Sequence, residues 1–108
     1  MKITITYVPC PNHETALSLA EYLISNGLVA CANVIASESA YHWEGKMCKE
    51  KEWIALLKSP AKGGKFLAKA IKRIHPYSIP AILQWKVKCN KAYGTWIDDE
   101  ITRSRLHL

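Results

Sequence analysis

No stretch of this 108-residue chain approaches the roughly 20 consecutive apolar residues that a membrane-spanning helix needs. Its first residues, Met1-Lys2-Ile3-Thr4-Ile5-Thr6, alternate apolar and polar side chains and hold no apolar block of the secretory kind. The four cysteines, Cys10, Cys31, Cys48 and Cys89, contain no Cys-x-x-Cys pair, which removes zinc-ribbon and thioredoxin-type patterns. A Gly-x-Ser-x-Gly elbow, a Walker loop and a His-Glu-x-x-His helix are all missing, as are repeats, linkers and low-complexity tracts. Arginine is scarce as well: Arg73, Arg103 and Arg105 fall in segments of helical pattern, so no loop carries an arginine cradle of the acylphosphatase type. Together these absences lead us to expect one soluble, cytoplasmic, non-enzymatic domain with free thiols.

What is present is an ordinary globular composition, 49% hydrophobic, with a formal charge of +6 that is unevenly spread. Residues 1–45 carry −3, residues 46–75 carry +7 and residues 76–108 carry +2. The basic middle section attracts anions by electrostatic steering, nucleic acid included, or is simply a solvated lysine face. Lys51-Glu52-Trp53-Ile54-Ala55 does not match the aromatic signature of an RNA-recognition strand, so nucleic acid is set aside as a partner.

Hydrophobic periodicity gives the elements. Ile3, Ile5 and Tyr7 alternate with Thr4, Thr6 and Val8 as a strand ended by Pro9-Cys10-Pro11. Asn12 offers an N-cap to a helix with Ala16, Leu19, Ala20 and Leu23 on one face, stopped by Asn26-Gly27. Leu28 to Ala36 is a nearly continuous apolar run that predicts a strand buried on both faces, and Tyr41 to Glu44 extends it. After Gly45, Trp53, Ala55 and Leu57 alternate with Glu52, Ile54 and Leu56 on the returning strand, which ends at Ser59-Pro60. Gly63-Gly64 precede a second helix carrying Phe66, Leu67, Ala70, Ile71 and Ile74 against Lys65, Lys69, Lys72 and Arg73, closed by His75-Pro76. Pro80 to Lys88 reads as a fourth strand and Lys91 to Arg105 as a terminal helix. The order β-α-β-β-α-β plus a helix predicts an α+β fold, a ferredoxin-like sandwich over residues 1–108 with a long hairpin between its second and third strands.

That hairpin, from Leu28 to Lys58 around Glu44-Gly45-Lys46, is far longer than a strand pair of typical length and should project beyond the core. Aromatic side chains on it need a surface to bury against, and another copy of the chain is the nearest one. Tyr41 and Trp43 are therefore expected interface anchors, while Trp53, Trp85 and Trp96 serve in core or interface packing. Cys31, inside Val29-Ala30-Cys31-Ala32, reads as a small buried apolar group.

Four histidines, His13, His42, His75 and His107, are the available imidazole donors for copper or zinc, and no two share a helical i, i+3 or i+4 spacing. Cys10 and His13, three residues apart across a helix start, have the spacing to place a sulfur and a nitrogen around one soft ion. His75, at a helix end, either caps the last carbonyls or contacts a ligand. Gly63-Gly64, before a lysine-rich helix, offers amides to an anion only faintly.

Gly27-Leu28-Val29-Ala30-Cys31-Ala32-Asn33-Val34-Ile35, Tyr41-His42-Trp43-Glu44-Gly45-Lys46, Glu52 with Lys58, His75-Pro76-Tyr77 and the spacing of Tyr93 from Trp96 together resemble the CutA family of divalent-cation tolerance proteins, nearly from end to end. The resemblance implies a ferredoxin-like subunit, a tight homotrimer with Tyr41, Trp43, Trp53 and Trp96 at its interfaces, and a role in tolerance of copper or other divalent ions. It also implies an intersubunit ligand cleft near Tyr77, Glu52 and Lys58, with Glu52 and Lys58 able to pair between chains. His75 of one chain brought by the trimer toward Cys10 and His13 of another is the expected metal set, for Cu(II) or another divalent cation, with no cofactor required for folding. The alternative it carries is a PII-like trimeric sensor that binds a small anion in the cleft and passes a signal to a membrane-protein or signalling partner. Two places depart from the family pattern: Ser78 and Ala81 stand where glutamates are common, and Pro11-Asn12-His13 delays the first acidic residue to Glu14.

Overall fold

The computed structural model describes residues 1–106, and side chains through residue 104. Its elements are β1 (Lys2–Cys10), α1 (His13–Ser25), β2 (Cys31–Trp43), β3 (Lys46–Pro60), α2 (Gly64–Ile74), β4 (Leu83–Lys88) and α3 (Lys91–Leu106). All strand pairs are antiparallel and the sheet order is β2-β3-β1-β4, the ferredoxin-like arrangement.

Local chemistry explains the boundaries. The Asn12 side chain accepts from the Thr15 amide and starts α1, and Gly27, at φ 68°, takes the left-handed turn that lets Leu28 and Val29 bond back to the Leu23 carbonyl. That cap consumes the first residues of the apolar run, so β2 begins at Cys31 rather than Leu28. Pro9 and Cys10 do not break β1, as the sequence led us to expect, but complete it. Pairing with β4 stops at Tyr7, so β1 has no neighbour on that side at Pro9 and the missing N–H costs no ladder bond there.

Strand parity sorts the side chains. Val8, Cys10, Ala55 and Leu57 face α1 and α2, where they close over Ala16, Leu19, Ala20, Leu23, Leu67 and Ile71 as the main core. Buried Thr6 is satisfied by the Gln84 amide at 3.2 Å, and Thr4 donates to the Ala61 carbonyl. The opposite face carries Ile5, Tyr7, Ile35, Ile54, Leu56, Leu83 and Trp85. α3 covers one end of it, with Ile97 and Ile101 buried and the Tyr93 hydroxyl 3.1 Å from the Cys31 sulfur. The rest is bare in the single chain: Ile35 is 49% exposed and Trp85 46%. β2 is thus not buried on both faces within the single chain, because α1 and α2 lie on one side of the sheet and α3 covers only one end of the other.

The long hairpin is present. Beyond the last β1 pairing, at Trp53, the seven residues Lys46–Glu52 pair only with Ser37–Trp43. This two-stranded arm reaches about 23 Å at strand rise, and the chain is 46 Å in its longest dimension. Its tip, Glu44-Gly45, has φ 51° and 78°, the two left-handed residues of a tight hairpin turn.

Candidate functional site

The site begins where α2 ends. Pro76 forces His75 out of the helical region, to φ −75° and ψ 137°, and this swings the imidazole under the end of β1. There Nδ1 accepts the Tyr77 amide at 3.1 Å and Nε2 donates to the Pro9 carbonyl at 2.8 Å, a pattern that assigns the Nε2–H tautomer. The Cys10 sulfur lies 3.9 Å from the same Nε2. The Tyr77 ring tilts against the imidazole, with centroids 4.8 Å apart, and its hydroxyl donates to Glu52 Oε2 at 2.8 Å. A continuous polar chain therefore runs from Pro9 through His75 and Tyr77 to Glu52 on β3.

Alternation on the arm builds the rest. Cys48, Glu50 and Glu52 share one face of β3, and their cross-strand partners Tyr41, Ser39 and Ser37 share that face of β2, as does Trp43. With the 77–81 segment folding over them, they enclose a cleft of about 490 Å³ lined by Pro9, Tyr41, Trp43, Cys48, Glu50, Glu52, Tyr77, Ser78, Ile79 and Ala81. No lysine, arginine or histidine is among these residues. Burial, then the hydrogen bond to Glu52, raises the Tyr77 phenol well above its ordinary range, and a hydrogen bond to Glu50 raises Tyr41. Both hydroxyls stay protonated, and that of Tyr77 points its proton at the Glu52 carboxylate. Burial, with the Glu52 charge second, pushes the Cys10 thiol up to about 11, so it is not an activated nucleophile. On the α3 side, the hydrogen bond with Cys31, followed by burial, pushes Tyr93 up to about 12.

Of the expected metal set, Cys10 and His75 are brought together on the helix side of β1. His13, at the first turn of α1, meets the edge of Trp53 at 4.7 Å between centroids. Both nitrogens of His75 are engaged, so a metal there must displace the Tyr77 amide or the Pro9 carbonyl. Among the described residues no group of three or more His, Cys, Asp or Glu side chains is arranged around one point. His107 lies outside the described residues. Of the expected cleft residues, Tyr77 and Glu52 meet directly. Lys58 sits six residues further along β3, about 20 Å away by strand rise, where it donates to the Asn33 side chain. Of the expected interface residues, Tyr41 and Trp43 are exposed on the arm, and Trp96 stacks on Tyr93 while remaining 42% exposed. Trp53 faces the other way and packs against the main core.

Glu50, Pro9 and Ile79 were not singled out from the sequence. Glu50 was the legible one, since period-two alternation places it beside Glu52, whereas Pro9 and Ile79 arrive through sheet order and loop folding. Ser78 and Ala81, where this chain departs from the CutA pattern, both line the cleft.

A sequence profile of the family described as CutA1 divalent ion tolerance protein matches residues 4–100. The divalent-cation tolerance protein CutA of Thermotoga maritima is 33% identical over 98 residues, 90% of this chain and 97% of that one. Its counterpart in Pyrococcus horikoshii is 36% identical over 97 residues, 89% and 95% of the two chains. Among crystal structures, CutA1 from Ehrlichia chaffeensis superposes with a TM-score of 0.88 at 30% identity, covering 92% of this chain and 94% of that one. CutA1 from Pyrococcus horikoshii gives 0.87 at 35% identity, with 90% and 96% covered. Sequence and fold agree along nearly the whole chain, which belongs to the CutA1 divalent ion tolerance family.

Proposed function

We propose that this chain acts without catalysis in tolerance of divalent cations, as a cytoplasmic homotrimer, with Cu(II) as the ion to test first. The observation that carries the metal reading is the sulfur and imidazole pair Cys10 and His75, 3.9 Å apart, in a chain of this family. Soft and borderline ions favour that donor pair, and binding would release the thiol proton. The trimer is supported by the apolar surface on the arm and the open sheet face, where Ile35, Trp43, Leu83 and Trp85 are all exposed. Among the described residues, the thiol that lies beside an imidazole, Cys10, is raised rather than lowered, which supports a non-catalytic role. A PII-like anion sensor is less well supported, because Glu50 and Glu52 line the cleft and no basic side chain of this chain does.

Calorimetric titration of the metal-free protein with Cu(II), and separately with nucleotides and dicarboxylates, tests this reading. Copper uptake that falls on Cys10→Ser substitution, with no anion binding, is the expected result. Anion binding in the absence of copper uptake by the wild type would replace the metal reading with the sensor.

A further inference from the structure

An apolar groove with one charged wall runs along the outer side of the helix layer. Phe66, Ala70 and Ile74 stand at i, i+4 and i+8 and form one row along α2, about 12 Å long at helical rise. Tyr22 and Leu28 face that row across a recess of about 310 Å³. At Tyr22 and Ile74 this recess meets a second one of about 440 Å³, which runs on to His75. Phe66 is 59% exposed and Tyr22 50%, and Ile74 is exposed as well, a concentration of large apolar groups that marks an interaction site. None of the lining residues belongs to the arm, to α3 or to the bare sheet face, the surfaces through which copies are proposed to meet. A trimer built on those surfaces does not use the groove.

The charge beside the groove is one-sided. α2 carries Lys65, Lys69, Lys72 and Arg73 and no acidic residue, with Lys62 just before it. Among the described residues none of these five lies within 4 Å of an Asp or Glu carboxylate. Lys72 and Arg73 suit the helix end, where the dipole attracts cations, but Lys65 sits in the first turn, where the same dipole repels it. Helix stability therefore does not account for the full set, whereas an acidic partner does. α1, the other wall, exposes Glu14 and Glu21. A flat anionic surface such as a membrane would meet those carboxylates along with the lysines, but a helix lying in the groove can turn its own acidic side to α2 alone. We propose that the groove between α1 and α2 is a docking site for an acidic amphipathic helix of another protein. Its apolar side chains rest on Phe66, Ile74 and Tyr22, and its carboxylates face Arg73, which lines the recess, and Lys69 one turn before it. Anchors at i, i+4 and i+7 span about 10 Å, which the row from Phe66 to Ile74 accommodates.

The test follows the fluorescence anisotropy of a labelled synthetic helix of about 18 residues, with leucine at i, i+4 and i+7 and glutamate along one flank. A second peptide with lysine for every glutamate is the control. The wild type should bind the acidic peptide in the range of about 10–100 µM and at least about tenfold more tightly than the basic one. Phe66→Ser and Ile74→Ser should each weaken binding about fivefold, and Lys69→Glu combined with Arg73→Glu should reverse the preference to the basic peptide. All four side chains are exposed, so these variants should keep the wild-type circular dichroism. Leu17→Ser, at an exposed position of α1 outside the groove, should bind like wild type. Equal affinity for the two peptides, no binding of either, or groove variants that bind like wild type overturns the proposal. So does a loss for Leu17→Ser equal to that for Phe66→Ser, the mark of nonspecific adhesion. Sedimentation with phosphatidylserine vesicles in place of peptide binding overturns it as well, by making this face a membrane surface.

Discussion

Removing the His75 imidazole is the perturbation whose magnitude the geometry defines best. The residue is 8% exposed and joins two backbone groups from distant segments, the Pro9 carbonyl at 2.8 Å and the Tyr77 amide at 3.1 Å. His75→Ala leaves both without a partner. Each unsatisfied buried group costs about 1–3 kcal/mol, so the raw loss is about 2–6 kcal/mol. A groove lined by Glu14, Ser18, Tyr22 and His75 admits water to one side of the gap and offsets part of this. The expected destabilisation is about 3 kcal/mol, measured by urea unfolding at fixed protomer concentration in the presence of a chelator. The Tyr77 amide should also lose its protection from hydrogen exchange, because its acceptor is gone. A loss below about 1 kcal/mol with the Tyr77 amide still protected would refute the bridging role and return His75 to the status of a free ligand.

Three further outcomes follow from other parts of the molecule. The Cys10 thiol titrates near 11 in the folded chain against 9.0 for an ordinary thiol. The folded state therefore keeps a proton that the unfolded state loses, and its stability should be full below about pH 8.5 and fall by about 2–3 kcal/mol as pH rises to about 11. Cys10→Ala should flatten that slope in alkaline denaturation curves, and identical slopes would contradict the assignment. Leu57→Ala, at a fully buried position under α1 and α2, should cost about 2–5 kcal/mol in denaturant unfolding. Trp85→Lys should dissociate the proposed trimer in light scattering while leaving the far-ultraviolet circular dichroism intact; an unchanged mass would show that this face is not an interface.

Element order, the arm and its turn were legible because period-two and helical periodicities are long and clean here, and because Asn12, Gly27, Gly45 and Pro76 punctuate them. Strand ends were harder to read. Pro9 looks like a breaker to local rules, and only the shortness of β4, a tertiary fact, makes it harmless. The apolar run from Leu28 looked doubly buried, since hydrophobicity registers that a face is to be covered but not by which chain. The same limit separated Trp53 from Tyr41 and Trp43. All three are aromatic, but register turns Trp53 toward the helices and the other two toward the cleft. The nearness of Tyr77 to Glu52, 25 residues apart, could be proposed from family likeness, while the hydrogen bond between them needed the distances.

β4, at six residues, stops short of the nine-residue β1 beside it. A sheet whose border strand stops early exposes main-chain polar groups that invite a stray strand to zip on and extend the structure indefinitely. At Pro9 the invitation is void in both directions: the ring nitrogen has no hydrogen to give, and the carbonyl oxygen is taken by His75. The rim is plugged at the point where it would otherwise be sticky, so a second copy finds no strand edge to extend there.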